Sequence, residues 1–222
     1  DQMIACNTAI AQEGMHGDYG ANIGKVIAIR KDLPSLLKAY AAAGSDARMN
    51  GCELPVVINS GSGNQGLTVS VPLIVYAERE HLDKEKLYRA LVISNLTAIH
   101  LKTEIGRLSA FCGAVSAGAA CGAGLAYLKD ASEEVMNHTI VNALAITSGI
   151  ICDGAKASCA AKIAVSVEAG ILGYDMYMNG QQFYGGDGII SKGIENTIHN
   201  IGVLGSQGMA STDQEIIKIM CE

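Results

Sequence analysis

Apolar residues recur at three- and four-residue spacing along nearly the whole chain, the signature of packed α-helices. Residues 1–13 predict a helix ending near Gly14, and "HGDYGANIG" a glycine-rich connector. Asp32 is placed to cap a helix running through "LPSLLKAYAAA" to Gly44. "LTVSVPLIVYAE" reads as helical or extended, with a kink at Pro72. Residues 83–105 carry the clearest amphipathic pattern, begun by Asp83 and acidic in the first turn. Residues 108–128, "LSAFCGAVSAGAACGAGLAYL", are small and apolar nearly all round, which predicts a buried helix that its neighbours approach closely. Asp130 with Glu133 reads as a capping-box variant for a helix to about residue 150. Further helices are expected over 157–172, from Ser191 to about 204, and after a second capping box at Ser211 and Gln214.

The one strand-like stretch is 54–58, a β-branched run before the polar loop "NSGSGNQG". Strands do not alternate with helices, so a doubly wound α/β fold is disfavoured. No repeat, low-complexity tract or linker divides the chain. The expectation is an all-α fold, one helical domain over 1–222, with at most a short strand or hairpin near 54–58.

Composition sharpens this picture. Hydrophobic residues make up 49%, but aromatics only 5%, and there are 26 glycines. The core must therefore be built from small and aliphatic side chains with backbones close together. A net charge of −6 without a basic stripe argues against a nucleic-acid partner. The most apolar window, 139–151, is too short and too polar to span a bilayer, so no membrane association is expected. Seven cysteines, an odd number placed mostly in apolar helical patterns, point to a reducing, cytoplasmic compartment.

The cysteines carry the candidate chemistry. Cys112 and Cys121 are nine apart, which puts them on opposite faces of one helix at about 100° per residue. Cys152 and Cys159, in "GIICDGAKASC", are seven apart; a straight helix would separate them by roughly 10 Å. The intervening Asp153-Gly154 breaks the helix and lets them converge. Zinc fingers and ribbons want closer pairs, and no C-x-x-C motif is present. Buried inert thiols, a disulfide, and ligation of an iron–sulfur cluster with one open iron all stay open on spacing alone.

"NSGSGNQGLTVSVP" (59–72), "IGRLSAFCGAVSAG" (105–118), "GIICDGAKASCAAKI" (149–163) and "GMASTDQEIIKIM" (208–220) together resemble the L-cysteine desulfidase family, related to the iron–sulfur L-serine dehydratases and often labelled a serine dehydratase alpha subunit family. The resemblance runs over essentially the whole chain. It implies a lyase that carries a [4Fe–4S] cluster on three cysteines, which map to Cys112, Cys152 and Cys159. The fourth iron would act as a Lewis acid on the leaving group of L-cysteine, giving pyruvate, ammonia and sulfide. L-serine dehydratase is the alternative within the class; a non-catalytic cluster-binding or redox- or iron-sensing helical subunit is the alternative outside it.

The family's upstream "GCTEP"-type motif, whose cysteine is the proposed base, does not stand in this chain, and Cys6 lacks its context. The chain starts at Asp1 and is expected to be the C-terminal, cluster-binding part of a longer protein. The base would come from the N-terminal half or a companion subunit; a homodimer is also possible on general grounds. The glycine-rich "SGSGNQG" turn entering a helix suits a substrate carboxylate, so Ser60, Ser62, Asn64 and Gln65 are the expected substrate-binding residues. Lys156, inside the two-cysteine motif, is expected to join them. Lys162, Lys102 and Arg107 flank the cysteine motifs and could neutralise cluster or carboxylate charge, but they read first as solvated helix faces, and Cys6, Cys52, Cys121 and Cys221 as structural or terminal thiols.

Overall fold

A computed structural model describes residues 1–222. It contains ten α-helices and no β-sheet: α1 Gln2–His16, α2 Ile23–Ala28, α3 Leu33–Met49, α4 Gly63–Arg79, α5 Lys84–Ile105, α6 Gly113–Leu128, α7 Glu133–Thr147, α8 Cys159–Met178, α9 Ile194–Val203 and α10 Ala210–Cys221. A single π-helical turn, Leu204–Gly208, joins α9 to α10. No helix is long and apolar enough to cross a membrane.

The small-residue helix α6 is the centre of the bundle. It packs on α4, α5, α7 and α8, and of its 16 residues only Gly113 and Tyr127 are not buried. Its contact with α8 is backbone on backbone: a Cβ at Gly118 would lie 2.3 Å from the Ser166 carbonyl oxygen, and one at Gly122 would lie 2.8 Å from the Gly170 Cα. Residue 118 meets 166 and residue 122 meets 170, so both chains ascend together and α6 and α8 run parallel. Their N-termini consequently lie at the same end of the bundle. The alanine-rich α3 packs against α1, α4 and α8 on the other side.

Several ends differ from expectation. The helix expected over 108–128 starts only at Gly113, which leaves Cys112 at its N-cap. Ser132 rather than Asp130 caps α7, its Oγ accepting from the Val135 N–H at 3.4 Å; Asp130 instead pairs with Lys86 at 2.7 Å. Ser191 exchanges hydrogen bonds with Thr197 and its Oγ accepts one from Asn200 Nδ2, while Gly193 takes the N-cap of α9. Ser211 lies inside α10, because the π-helical turn feeds that helix from Ala210. Asp32 and Asp83 cap α3 and α5 as expected, accepting from the N–H groups of Ser35 and Lys86. Pro72 sits within α4, which continues through it.

Residues 54–58 form neither strand nor helix. The buried Asn7 side chain stands where a neighbouring strand would: its Oδ1 accepts from the Val57 N–H at 2.8 Å and its Nδ2 donates to the Val57 carbonyl at 3.2 Å. One amide side chain satisfies the backbone that a hairpin would have paired.

Candidate functional site

The starts of α4, α6 and α8 line one cavity of about 290 Å³. The first of its walls is the turn Asn59–Ser62. Asn59 and Ser62 exchange backbone hydrogen bonds at 3.1 and 2.9 Å, and the two residues between them, Ser60 and Gly61, have φ of 48° and 80°. Positive φ at both central positions makes this a type I′ turn. Asn59 Nδ2 moors it to Asn95 on α5 at 2.9 Å. Ser62 then caps α4, accepting from the Gln65 N–H at 3.4 Å. Ser60, Ser62, Asn64 and Gln65 thereby all reach the cavity wall.

A small antiparallel bridge brings the cysteines together. Phe111, fully buried, pairs with Ile151; the Cys112 N–H donates to the Ile150 carbonyl at 3.1 Å and the Cys152 N–H to the Ala110 carbonyl at 2.6 Å. Residues one step beyond the paired position on each strand face the same side, so Cys112 and Cys152 meet. Gly149 and Gly154, at φ of 134° and 90°, permit the loop's course on either side of the bridge. Cys159, first residue of α8, completes the set, its sulfur accepting from the Lys156 N–H at 3.4 Å. All three cysteines line the cavity. They are free thiols, and no three His, Cys, Asp or Glu side chains stand close enough to hold a single metal ion.

The electrostatics favour negative charge in the cavity. The two neighbouring sulfurs titrate as a pair: the proximity of Cys112 pushes Cys152 down to about 6, while Cys152, with burial, pushes Cys112 up. The Gly154 N–H and the Lys162 ammonium also favour the Cys152 thiolate. Helix N-termini stabilise thiolates in the same way. Four cationic side chains, Arg48, Lys102, Arg107 and Lys162, stand on the wall, and no carboxylate does. That is a strong segregation in a chain with 22 acidic and 16 basic residues.

The cations are held differently. Lys162 pairs with Asp153 and donates to the Ile151 carbonyl at 3.0 Å, tying the cysteine loop to α8. Its side chain holds the Asp153 carboxyl below the usual carboxylate range. Arg48 donates to Asn64 Oδ1 at 3.2 Å. Lys102 is buried, and burial pushes its amine below its ordinary range. Lys156 is exposed and off the cavity wall; its backbone N–H, not its side chain, faces the site.

Arg48 carried no signal, since a basic residue in the last turn of a helix reads as a partner for the helix dipole. Lys102 did carry one. It lies four residues after the buried Ala98 and three before the buried Ile105, which places it on the packed face of α5 and not on the solvated one. Cys121 lies fully buried away from the cavity, its thiol pushed up by burial alone; Cys221 is exposed at the end of α10.

The chain is 64% identical over 222 residues to a UPF0597 protein of Desulfitobacterium hafniense, covering 99% of this chain and 52% of that protein. UPF0597 proteins of Lachnoclostridium phytofermentans and Finegoldia magna are 53% and 51% identical, with 53% and 54% of their lengths covered. The chain thus spans about half the length of these relatives. No solved structure matches it. The family described as "Serine dehydratase alpha chain" matches residues 1–218, and the chain belongs to that family.

Proposed function

We propose that this chain is the cluster-carrying part of a β-eliminating lyase, with Cys112, Cys152 and Cys159 as ligands of a [4Fe–4S] cluster and L-cysteine as substrate, converted to pyruvate, ammonia and sulfide. One observation carries the reading: three cysteines from separate segments line a single cavity into which three helix N-termini and four cations also face. The donor set suits a polynuclear group. Three thiols on one cavity wall are the ligand type and number that an iron–sulfur cluster with one open iron takes.

When bound, the cluster would supply a Lewis acid for the leaving group at Cβ. The protein's own residues do the rest. Ligation requires deprotonated thiols, and the Cys112–Cys152 pair already holds one sulfur close to the thiolate form. The type I′ turn and the start of α4 present Ser60, Ser62, Asn64 and Gln65 to the substrate. Asp153 holds Lys162 beside the thiols, and the backbone N–H of Lys156 steadies Cys159. The base that removes the Cα proton is assigned to the remaining half of the longer protein, or to a companion subunit, acting in the cytoplasm.

L-serine dehydratase is the second reading, favoured by the family match. Anaerobic reconstitution with iron and sulfide should give a brown protein. Replacing Cys112, Cys152 or Cys159 by Ser should each abolish the colour and the bound iron, whereas Cys121→Ser should leave both. A colourless wild-type product refutes the cluster reading. Sulfide release from L-cysteine against pyruvate release from L-serine, measured with the second half of a full-length relative added, decides between the substrates.

A further inference from the structure

Two polar groups on the cavity wall make no hydrogen bond within the chain, and they are opposite in character: the buried Gln65 Oε1 and the ammonium at the end of the buried Lys102 side chain. Lys102 is 8% exposed. Of the other wall cations, Lys162 is engaged by Asp153, Arg48 is engaged by Asn64, and Arg107 is exposed to solvent. Lys102 alone is both buried and without a hydrogen bond or ion pair; the Cys152 and Cys112 sulfurs and, more weakly, Asp213 on α10 bear on it through space. Gln65 is 5% exposed. Its Oε1 is buried with no hydrogen-bond donor, and its amide is wedged so close to Gly113 that a Cβ there would lie 2.5 Å from Nε2.

An ammonium only donates and an amide oxygen only accepts. Leaving the Gln65 oxygen unpaired and the Lys102 ammonium partly desolvated costs free energy, which the chain recovers when a ligand supplies the missing partners. A single ligand satisfies both groups if it carries an anionic acceptor and an N–H donor close together. An α-amino acid is such a ligand, whereas a simple carboxylate or a simple amine meets one need only.

We propose that Lys102 and Gln65 divide recognition of the substrate's charged ends between them, Lys102 donating to the α-carboxylate and Gln65 Oε1 accepting from the α-ammonium. This rests on the β-eliminating reading above and adds to it the two residues that select an amino acid. Charge-assisted hydrogen bonds of this kind are shorter and stronger than neutral ones, so each contributes to selectivity as well as affinity.

L-alanine, which has no leaving group, tests the assignment by calorimetry, beside propionate, which lacks the ammonium, and ethylamine, which lacks the carboxylate. The full 222-residue chain is titrated after anaerobic reconstitution and again free of metal. Wild type should prefer L-alanine to propionate by about tenfold or more. Lys102→Met should weaken L-alanine and propionate alike and leave ethylamine unchanged, and Lys102→Arg should restore part of the loss. Gln65→Leu should bring L-alanine down to the level of propionate without moving propionate. Circular dichroism melts verify that the variants fold; a variant that does not is replaced by Lys102→Gln or Gln65→Met. Wild type that binds no L-alanine, or does not distinguish it from propionate, overturns the assignment, as do folded variants that bind like wild type. Selective binding without a visible cluster sinks the cluster reading and leaves this one standing; a cluster with unselective binding does the reverse.

Discussion

Gly118→Ala is the substitution that most directly probes how the site is held together. Gly118 faces α8, where a new Cβ would sit 2.3 Å from the Ser166 carbonyl oxygen and 2.5 Å from its carbon, against an ordinary contact that begins near 3.4 Å. Both atoms are backbone, so no side chain can swing aside; the helices themselves must part by about an ångström. Overpacking a tight core costs typically about 1–3 kcal/mol, and this site belongs at the upper end. Alanine's better helix propensity returns about 1 kcal/mol, leaving a net loss of roughly 1–2 kcal/mol. At this chain length that lowers the melting temperature by about 2–8 °C.

Gly124→Ala is the internal control. It gains the same propensity, but its new Cβ meets chiefly the movable Leu73 side chain at 2.7 Å, so it should be nearly neutral. The parallel helices extend the consequence to function. Gly118 is six residues beyond Cys112, and Ser166 seven beyond Cys159, roughly 9–10 Å from the cavity. On the proposed cluster reading, parting α6 and α8 there should also lower iron retention, which Gly124→Ala should spare. Thermal melts and iron analysis of the two variants side by side read this out. If Gly118→Ala melts at or above wild type, the backbone contact is not tight and the account of α6 packing is wrong.

Asp46 lies in α3, 1% exposed, with one carboxylate oxygen accepting from the Gly24 N–H at 3.0 Å and the other unpartnered. Burial raises its pKa above the usual carboxylate range, so the folded chain holds this proton more tightly than the unfolded one. Its contribution to stability is therefore greatest below about pH 4 and is lost as pH rises through the folded value. Asp46→Asn keeps the acceptor and removes the charge, and should flatten that fall in a pH series of denaturant midpoints; an unchanged slope refutes it. Asp83→Ala removes the acceptor at 2.8 Å from the Lys86 N–H and should cost about 1 kcal/mol, seen as a lower urea midpoint at constant m-value.

Helix content, the buried character of the α6 segment and the caps at Asp32 and Asp83 were legible because each follows from residues close in sequence. So was the break at Asp153-Gly154, since a glycine between two cysteines is a local signal. What brings Cys112 to Cys152 is not local. Two hydrogen bonds around the Phe111–Ile151 bridge do it, and so short a pairing leaves no period-2 pattern to read. Residues 54–58 fail in the opposite way: they carry a strand's composition, but a single side chain, Asn7, takes the place of the neighbouring strand. Lys102 was missed by weighing its charge over its position, although the spacing from Ala98 to Ile105 already placed it on the packed face.

The small-residue composition and the chemistry of the cavity are consequences of one another. The thiolates and bound anion proposed for the cavity need positive potential, and parallel helices that all begin at one end supply it from backbone alone. Parallel helices whose dipoles point the same way repel, so their close approach must be offset by packing. Glycine and alanine let α6 and α8 come within backbone contact along Gly118, Gly122 and Gly170, where dispersion and apolar burial are greatest for the least side-chain ordering. A bundle of bulkier residues would hold the same helices further apart, widen the cavity and dilute the field of their ends. The near absence of aromatic residues is thus a condition for three helix starts to share one small cavity, and the carboxylate-free wall extends to side chains the same preference for negative charge.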